Sequence, residues 1–436
     1  MTGRISPFSI PFHGDALSSR IAFILLCVLF SFPHAVQAFS ALLFLALAFF
    51  AVIVMIREGD RQTLSLLIPW FGISVIVNGI YIAIGQNRGA PLEAALQSVA
   101  VFVAAPIFWL LIFLAVRRQF SEVAIFRLFE AIALMSALSV ALFFYIFLTF
   151  GADAAKIFSS EPNVLVREGT VSATMHVYAT LVFISSAMLS VPDIYRKGIW
   201  QLFMPLVLIV VALTSGRSAL LVACAIGAVS GLVLRPFIIS DRVAGAVKKP
   251  GLFLRALLFG TGGLVLMALL ASFLEMVDIG VVVEALAEKV LSGGGVERTT
   301  QYFSLLDGIA ATNGFGAGHG IGVAYVRDFE YPWRYEIFAL ASIYRLGVFG
   351  FLLTFIPFAV YLGAFVRTAA RRQLRPLDVF LFSGWLAIAL ASFTNPYPES
   401  FIYLGLLMGP VVLFPYARAT DTRAVRGSDT PSGAAG

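Results

Sequence analysis

Cysteine is nearly absent from this chain. The two that occur in 436 residues, Cys27 and Cys224, both lie inside apolar runs, which excludes a disulfide framework. Histidine is also scarce. His13, His34, His176 and His319 are scattered, and no set of His, Cys and carboxylates has metal-ligand spacing. No metal or other cofactor is therefore expected from a motif, although Mg²⁺ held by substrate phosphates stays open. Charge is the third shortage. Only 12% of residues are Asp, Glu, Lys or Arg, roughly half the density of a soluble globular domain. That excludes an ordinary water-soluble globule.

What fills the chain instead is apolar. Hydrophobic residues make up 60% and the mean hydropathy is +0.94, so apolar side chains must face lipid as well as a core. Aromatics reach 14%, with 41 Phe, as expected where rings pack between helices and sit at headgroup level. Apolar runs fall at 21–36, 38–56, 63–84, 95–116, 128–150, 171–191, 199–213, 218–234, 252–274, 337–366, 377–394 and 400–416. Each approaches or exceeds the ~20 residues a spanning helix needs. The runs at 199–213 and 218–234 are short, and the run at 337–366 is long enough to bend. The fold expected is all-α, a polytopic membrane bundle of about twelve transmembrane helices over residues 1–417. No small-residue cleavage site follows the first run, so it reads as a retained signal anchor.

The formal net charge of +6 could suggest nucleic acid, but its distribution points elsewhere. With twelve spans and the N-terminus inside, 21 of the 30 basic residues fall in inside segments. The other nine are Arg88, Lys156, Arg167, Arg217, Lys289, Arg298, Arg327, Arg334 and Arg345. The basic balance is a topology signal, with both termini cytoplasmic, and no nucleic-acid partner is expected. Residues 275–336 form one large extracytoplasmic loop with nine acids against four bases, a net charge of −5. Its stretch 277–291 has apolar residues at helical spacing, and a second helix is expected over Glu297 to Ala311. Residues 418–436 are polar and rich in Gly and Ser, the composition of a disordered cytoplasmic tail.

Several residues could carry chemistry at the outer face. Arg217 sits in the turn Leu213-Thr214-Ser215-Gly216-Arg217-Ser218, against the positive-inside bias. Small neighbours there would let backbone N–H groups approach an anion while the guanidinium forks onto it. The alternative is an arginine snorkelling to headgroups. The run from Asn313 to Gly322 places glycine at every second position five times. It cannot hold a helix cheaply, so it either wraps a ligand or is a mobile loop. His319 within it is either a general base or polar surface. Arg298, Arg327, Arg334 and Glu336 share the loop. Arg345 lies eleven residues after Arg334, on the same face if one helix carries both, with Glu336 or Glu399 as its partner. Arg345 reads as functional or as half of a structural ion pair. Asn78 and His176 are polar groups in spans that suit interhelical hydrogen bonds.

The order of these pieces resembles a family. The Leu213–Ser218 turn is flanked by two spans. One basic inner loop, one span, and a large outer loop holding Arg298 and Asn313–Gly318 follow. The next helix carries Gly347-Val348-Phe349-Gly350. This is similar to the superfamily of bacterial O-antigen polymerases and O-antigen ligases, which includes exopolysaccharide polymerases, over residues 199–366. Ligases of that family have a His-Asn pair about eleven residues before the first glycine of the final G-x-x-G. Here that position is Glu336-Ile337, which favours polymerase. The resemblance implies a GT-C-like, metal-independent glycosyltransferase of the bacterial inner membrane. Its donor would be a polyprenyl-diphosphate-linked oligosaccharide, and its acceptor a sugar hydroxyl of another lipid-linked repeat unit. Membrane lipids, chain-length regulator proteins and flippase proteins would be its further partners. Arg217 and Arg298 would contact the diphosphate, with Arg345 and Arg334 as weaker substrate contacts. Glu336 or His319 would deprotonate the acceptor.

Overall fold

The computed structural model describes residues 16–33, 37–58, 61–155, 163–167, 170–174, 177–191, 207–208, 211, 218–239, 295–327, 329, 331–393 and 395–416. The expected runs at 199–213 and 252–274, the stretch 277–291, His176, Arg217 and the tail 418–436 lie wholly or mainly outside these residues.

The protein is a helical, multi-pass membrane protein. Among the described residues six helices are long and apolar enough to cross a bilayer: Ala38–Glu58, Thr63–Asn87, Leu92–Gln119, Glu122–Phe150, Ala219–Phe237 and Phe338–Ala370. Four shorter apolar helices accompany them, Leu17–Ser31, Val177–Ser190, Pro376–Ala391 and Phe401–Leu413. In chain order the main elements are α1 (Ala16–Ser31), α2 (Gln37–Glu58), α3 (Arg61–Asn87), α4 (Leu92–Gln119) and α5 (Glu122–Phe150). They continue with α6 (Val177–Ser190), α7 (Ser218–Leu234), α8 (Gly295–Ala311), α9 (Phe338–Thr354), α10 (Ile356–Ala370), α11 (Pro376–Ala391) and α12 (Phe401–Leu413). Ten of the twelve apolar runs thus coincide with a described helix or helix pair. Large side chains such as Phe49, Ile56 and Ile76 stand 64–79% exposed on these helices, the surface a lipid-facing helix presents.

Two boundaries differ from the hydropathy reading. The run at 171–191 does not begin as helix. Thr170–Thr174 pairs antiparallel with Asn163–Arg167 in a short hairpin, and α6 starts at Val177. The run of Thr, Val and Ser favours extended backbone there. The long run at 337–366 is interrupted twice. Gly347, at φ 67° and ψ 171°, breaks α9 from within. Phe355 then ends it, and α10 restarts with Pro357 in its first turn, where a missing N–H costs nothing.

The core is built where small residues meet large rings or other backbones. Trp109 of α4 is fully buried, stacked on Phe30 and Phe113 and tilted against Phe44. A Cβ at Gly405 of α12 would stand 2.5 Å from that indole, so the glycine is what lets α12 close on α4. Gly227 and Gly231 of α7 bring their backbone onto the Ser186 and Ser190 carbonyls of α6, the close approach that small-residue spacing gives membrane helices.

The connections sort into two ends of the bundle. At one end Ser19 donates to Gln119, which donates to Glu58, and Arg375 bridges Glu122 and Asp378. At the other lie the α3–α4 turn, the start of α9 and the 395–399 turn before α12. Arg57, Arg117, Arg118, Arg367, Arg371, Arg372 and Arg375 belong to the first end; Arg88, Arg298, Arg327, Arg334 and Arg345 belong to the second.

Candidate functional site

The second end is organised by the glycine-alternating segment. Helix α8, which matches the helix expected over Glu297 to Ala311, is stopped by Asn313 at φ 51° and Gly314 at φ 73°. The chain then enters the bundle between α3 and α9 rather than remaining a mobile loop. Its backbone is zipped to both helices. Ala317 N–H donates to the Tyr344 carbonyl at 2.7 Å, Gly318 N–H to the Arg345 carbonyl at 2.9 Å, and His319 N–H to the Tyr81 carbonyl at 3.0 Å. In return Val348 N–H donates to the Gly314 carbonyl at 3.0 Å.

The break at Gly347 is what makes this pairing available. A helix interrupted there frees carbonyls of its preceding turn, and in hydrocarbon each must find a partner. The segment supplies them. A Cβ at Gly316 would stand 2.4 Å from the Gly347 nitrogen, and one at Gly318 would stand 2.4 Å from the Gly85 nitrogen. Both glycines also hold φ near +90°, where a side chain is strained regardless of space. Two further carbonyls of the segment are capped from α3 and the turn after it. Tyr81 Oη donates to the Phe315 carbonyl at 2.9 Å, and Arg88 Nη1 to the Gly316 carbonyl at 2.8 Å.

His319 follows the last zipped glycine and is buried, 3% exposed. Its ring lies tilted against Phe102, centroids 4.9 Å apart, in a π-helical turn of α4, Val99–Ala104. Nε2 lies 3.1 Å from Asn78 Oδ1. The Asn78 amide donates to the Ser74 carbonyl and to Thr354 Oγ1, so its oxygen is the atom facing the histidine. Nε2 therefore carries the proton and Nδ1 the lone pair, an assignment made from the hydrogen-bond network. Asn78, as its place in a span suggests, bonds between helices.

Arg345, in the turn before Gly347, is 3% exposed. Nη1 pairs with Glu399 Oε1 at 2.7 Å and Nη2 donates to the Trp333 carbonyl at 2.6 Å. Of the two partners open in the sequence, Glu399 is the one it takes. A cavity of about 50 Å³ lies beneath, with Asn78, His319, Ser342 and Arg345 on its polar side and Phe71 and Phe358 among its apolar walls. That is room for a few waters or a small group.

Glu336 stands nearer the surface. Oε2 accepts from Arg298 Nε at 2.7 Å and Oε1 pairs with Arg327 Nη2 at 2.9 Å. The backbone beneath is fixed by Gln301 of α8, whose side-chain oxygen accepts from Glu336 N–H and Ile337 N–H at the start of α9. Arg334 and Arg345 do not share a helical face, because α9 begins only at Phe338. Arg334 lies in the preceding turn, its guanidinium 4.0 Å over the Tyr331 ring.

The sequence singled out Arg298, Arg334, Glu336, His319 and Arg345, and the fold places all five at one end of the bundle. Arg345 and His319 line the cavity, Arg298 and Glu336 form the outer cluster, and Arg334 belongs to neither, lying over Tyr331 in the turn before α9. Arg217 lies outside the described residues. Sequence reasoning gave no role to Arg88, Tyr81 or Gln301, or to Arg327 as partner of Glu336. For Arg88 and Arg327 the available signal was their place outside, against the positive-inside bias. Among the described residues no group of three or more His, Cys, Asp or Glu could hold a metal ion. No protein-family model matches this chain, and no curated protein matches it either.

Proposed function

We propose that the protein polymerises polyprenyl-diphosphate-linked oligosaccharide repeat units for a bacterial surface polysaccharide. The reaction would take place on the extracytoplasmic side of the inner membrane, within a GT-C-like bundle of about twelve spans whose termini are both cytoplasmic. The supporting observation is the set of arginines at the second end of the bundle. Arg88, Arg298, Arg327, Arg334 and Arg345 all lie there, around a backbone segment locked into a broken helix. Five arginines on the face that positive-inside statistics leave poor in them suit an anionic, membrane-borne substrate.

The chemistry needs little beyond charge and position. A polyprenyl diphosphate leaves without a nucleotide, so fixed guanidiniums can neutralise the charge that develops on it. Arg217 and Arg298 are assigned to that contact. Arg345, whose Nη groups are both engaged, holds the 395–399 turn and the Trp333 turn onto α9. Glu336 is the base proposed for the acceptor hydroxyl. A substrate phosphate drawing one arginine away would free an oxygen of its carboxylate for that role.

One observation favours a second reading. A discontinuous spanning helix with irregular backbone packed into the break is a feature of secondary transporters, so a flippase of lipid-linked glycans is the alternative. Deletion of the gene and gel analysis of polysaccharide length separates the two. Single repeat units on the outer-face carrier with no long chains indicate a polymerase. Loss of outer-face units indicates a flippase. Full-length chains left on the carrier would point to a ligase.

A further inference from the structure

Arg298 and Arg327 come from separate parts of the loop that precedes α9, one on the first turn of α8 and the other nine residues before Glu336. A single carboxylate holds both. Arg298 uses only Nε on Glu336, and Arg327 only Nη2. Each guanidinium carries five N–H donors, so most donors of the pair have no partner among the described residues. The two side chains are 32% and 41% exposed, and Glu336 is 27% exposed, so the group is open to solvent. Its formal charge is +1 within a loop whose overall charge is −5. The two cations converge on one solvent-open carboxylate, which leaves a net positive group whose spare N–H donors can take a second anion.

The backbone under the cluster is also fixed. Gln301, one turn after Arg298 on the buried side of α8, bonds both backbone N–H groups at Glu336 and Ile337. The carboxylate is thereby set between the arginines by two elements, rather than by a flexible chain.

We infer that Arg298 and Arg327 form a two-guanidinium oxyanion site, with Glu336 occupying it in the empty state, and that Arg327 is a substrate-binding residue equal in rank to Arg298. The occupant is a phosphate oxygen or a sugar carboxylate, groups that share the planar or forked acceptor geometry a guanidinium recognises. Binding exchanges one arginine–carboxylate contact for contacts to the incoming anion, and no covalent bond changes. The polymerase reading names the molecule that brings this anion, but the site itself rests on the arginine geometry.

The test uses the full-length chain purified in detergent at 0.15 M salt, with inorganic pyrophosphate and glucuronate as separate probes, followed by calorimetric titration and ligand-dependent melting. Wild type should bind at least one probe. Arg327→Gln and Arg298→Gln should each weaken that binding by about tenfold or more. Arg327→Lys, which keeps the charge and the fold but loses the fork, should weaken it by several-fold. Pyrophosphate binding without glucuronate binding identifies a phosphate site; the reverse identifies an acidic-sugar site. If neither probe binds, or if both Arg327→Gln and Arg327→Lys bind as wild type does, the site is overturned. Because binding is read without turnover, a strain deletion that leaves polymer length unchanged would reject the polymerase reading alone.

Discussion

Replacing Gly316 by alanine tests the zipped segment at its tightest point. The new Cβ would lie 2.4 Å from the Gly347 nitrogen, 2.7 Å from the Leu346 carbonyl carbon and 2.8 Å from the Arg345 oxygen. All three are backbone atoms, so no side chain can rotate away. Holding alanine at the φ of +89° found there costs about 1–2 kcal/mol by itself. Relieving the overlap by backbone movement adds about 1–3 kcal/mol. The shift also strains the neighbouring bonds from Ala317 and Gly318 to α9, each worth about 1 kcal/mol. Gly89 is the control. Its φ is +90°, but nothing lies within 4 Å of a Cβ built there. Gly89→Ala should therefore lose only the conformational part, about 1–2 kcal/mol. Thermal midpoints of the detergent-purified variants, read by size-exclusion chromatography after heating, should rank wild type, then Gly89→Ala, then Gly316→Ala well below. Equal midpoints for the two variants would refute the claim that steric contact with the α9 break is what the glycine serves.

The remaining predictions concern the same end of the bundle and one helix contact. Breaking the Arg345–Glu399 pair with Glu399→Gln should cost about 3–5 kcal/mol, because a buried guanidinium is left short of its counter-charge. A double Arg345→Leu, Glu399→Leu variant should melt above the single one, and a cycle showing no coupling would dispose of the pair. Gly227→Ala places a Cβ 2.3 Å from the Ser186 carbonyl oxygen and should lower the melting midpoint by separating α7 from α6. If the proposed polymerase function holds, then in a deletion strain Arg217→Lys should lose much of the polymer chain length and Arg217→Ala nearly all, at unchanged membrane abundance. A diphosphate contact that strengthens in the transition state is worth ~2–4 kcal/mol. Wild-type chain length from Arg217→Ala would leave it as a headgroup-facing arginine.

Composition and spacing were enough for the helical membrane architecture, because the requirement is local. A segment crosses hydrocarbon if it carries enough apolar residues and satisfies its own backbone, and both properties are written in consecutive residues. The separation of basic residues into two ends was legible for the same reason, and so was the helix over Gly295–Ala311. The start of α9 was less so: hydropathy runs unbroken through Phe338, Gly347 and Phe355, and only backbone geometry shows where the helix begins, breaks and restarts. The pairings of the site depended wholly on tertiary structure. His319 meets Asn78 across 241 residues, and Arg345 meets Glu399 across 54. Glu336, within one loop of Arg345, goes to Arg298 and Arg327 instead. A sequence fixes which groups need partners, since burial makes an unpaired charge or carbonyl costly. Which partner each one finds is set by the approach of distant backbones, and here that approach rests on glycines at 85, 316, 318 and 347 that leave no side chain in the way.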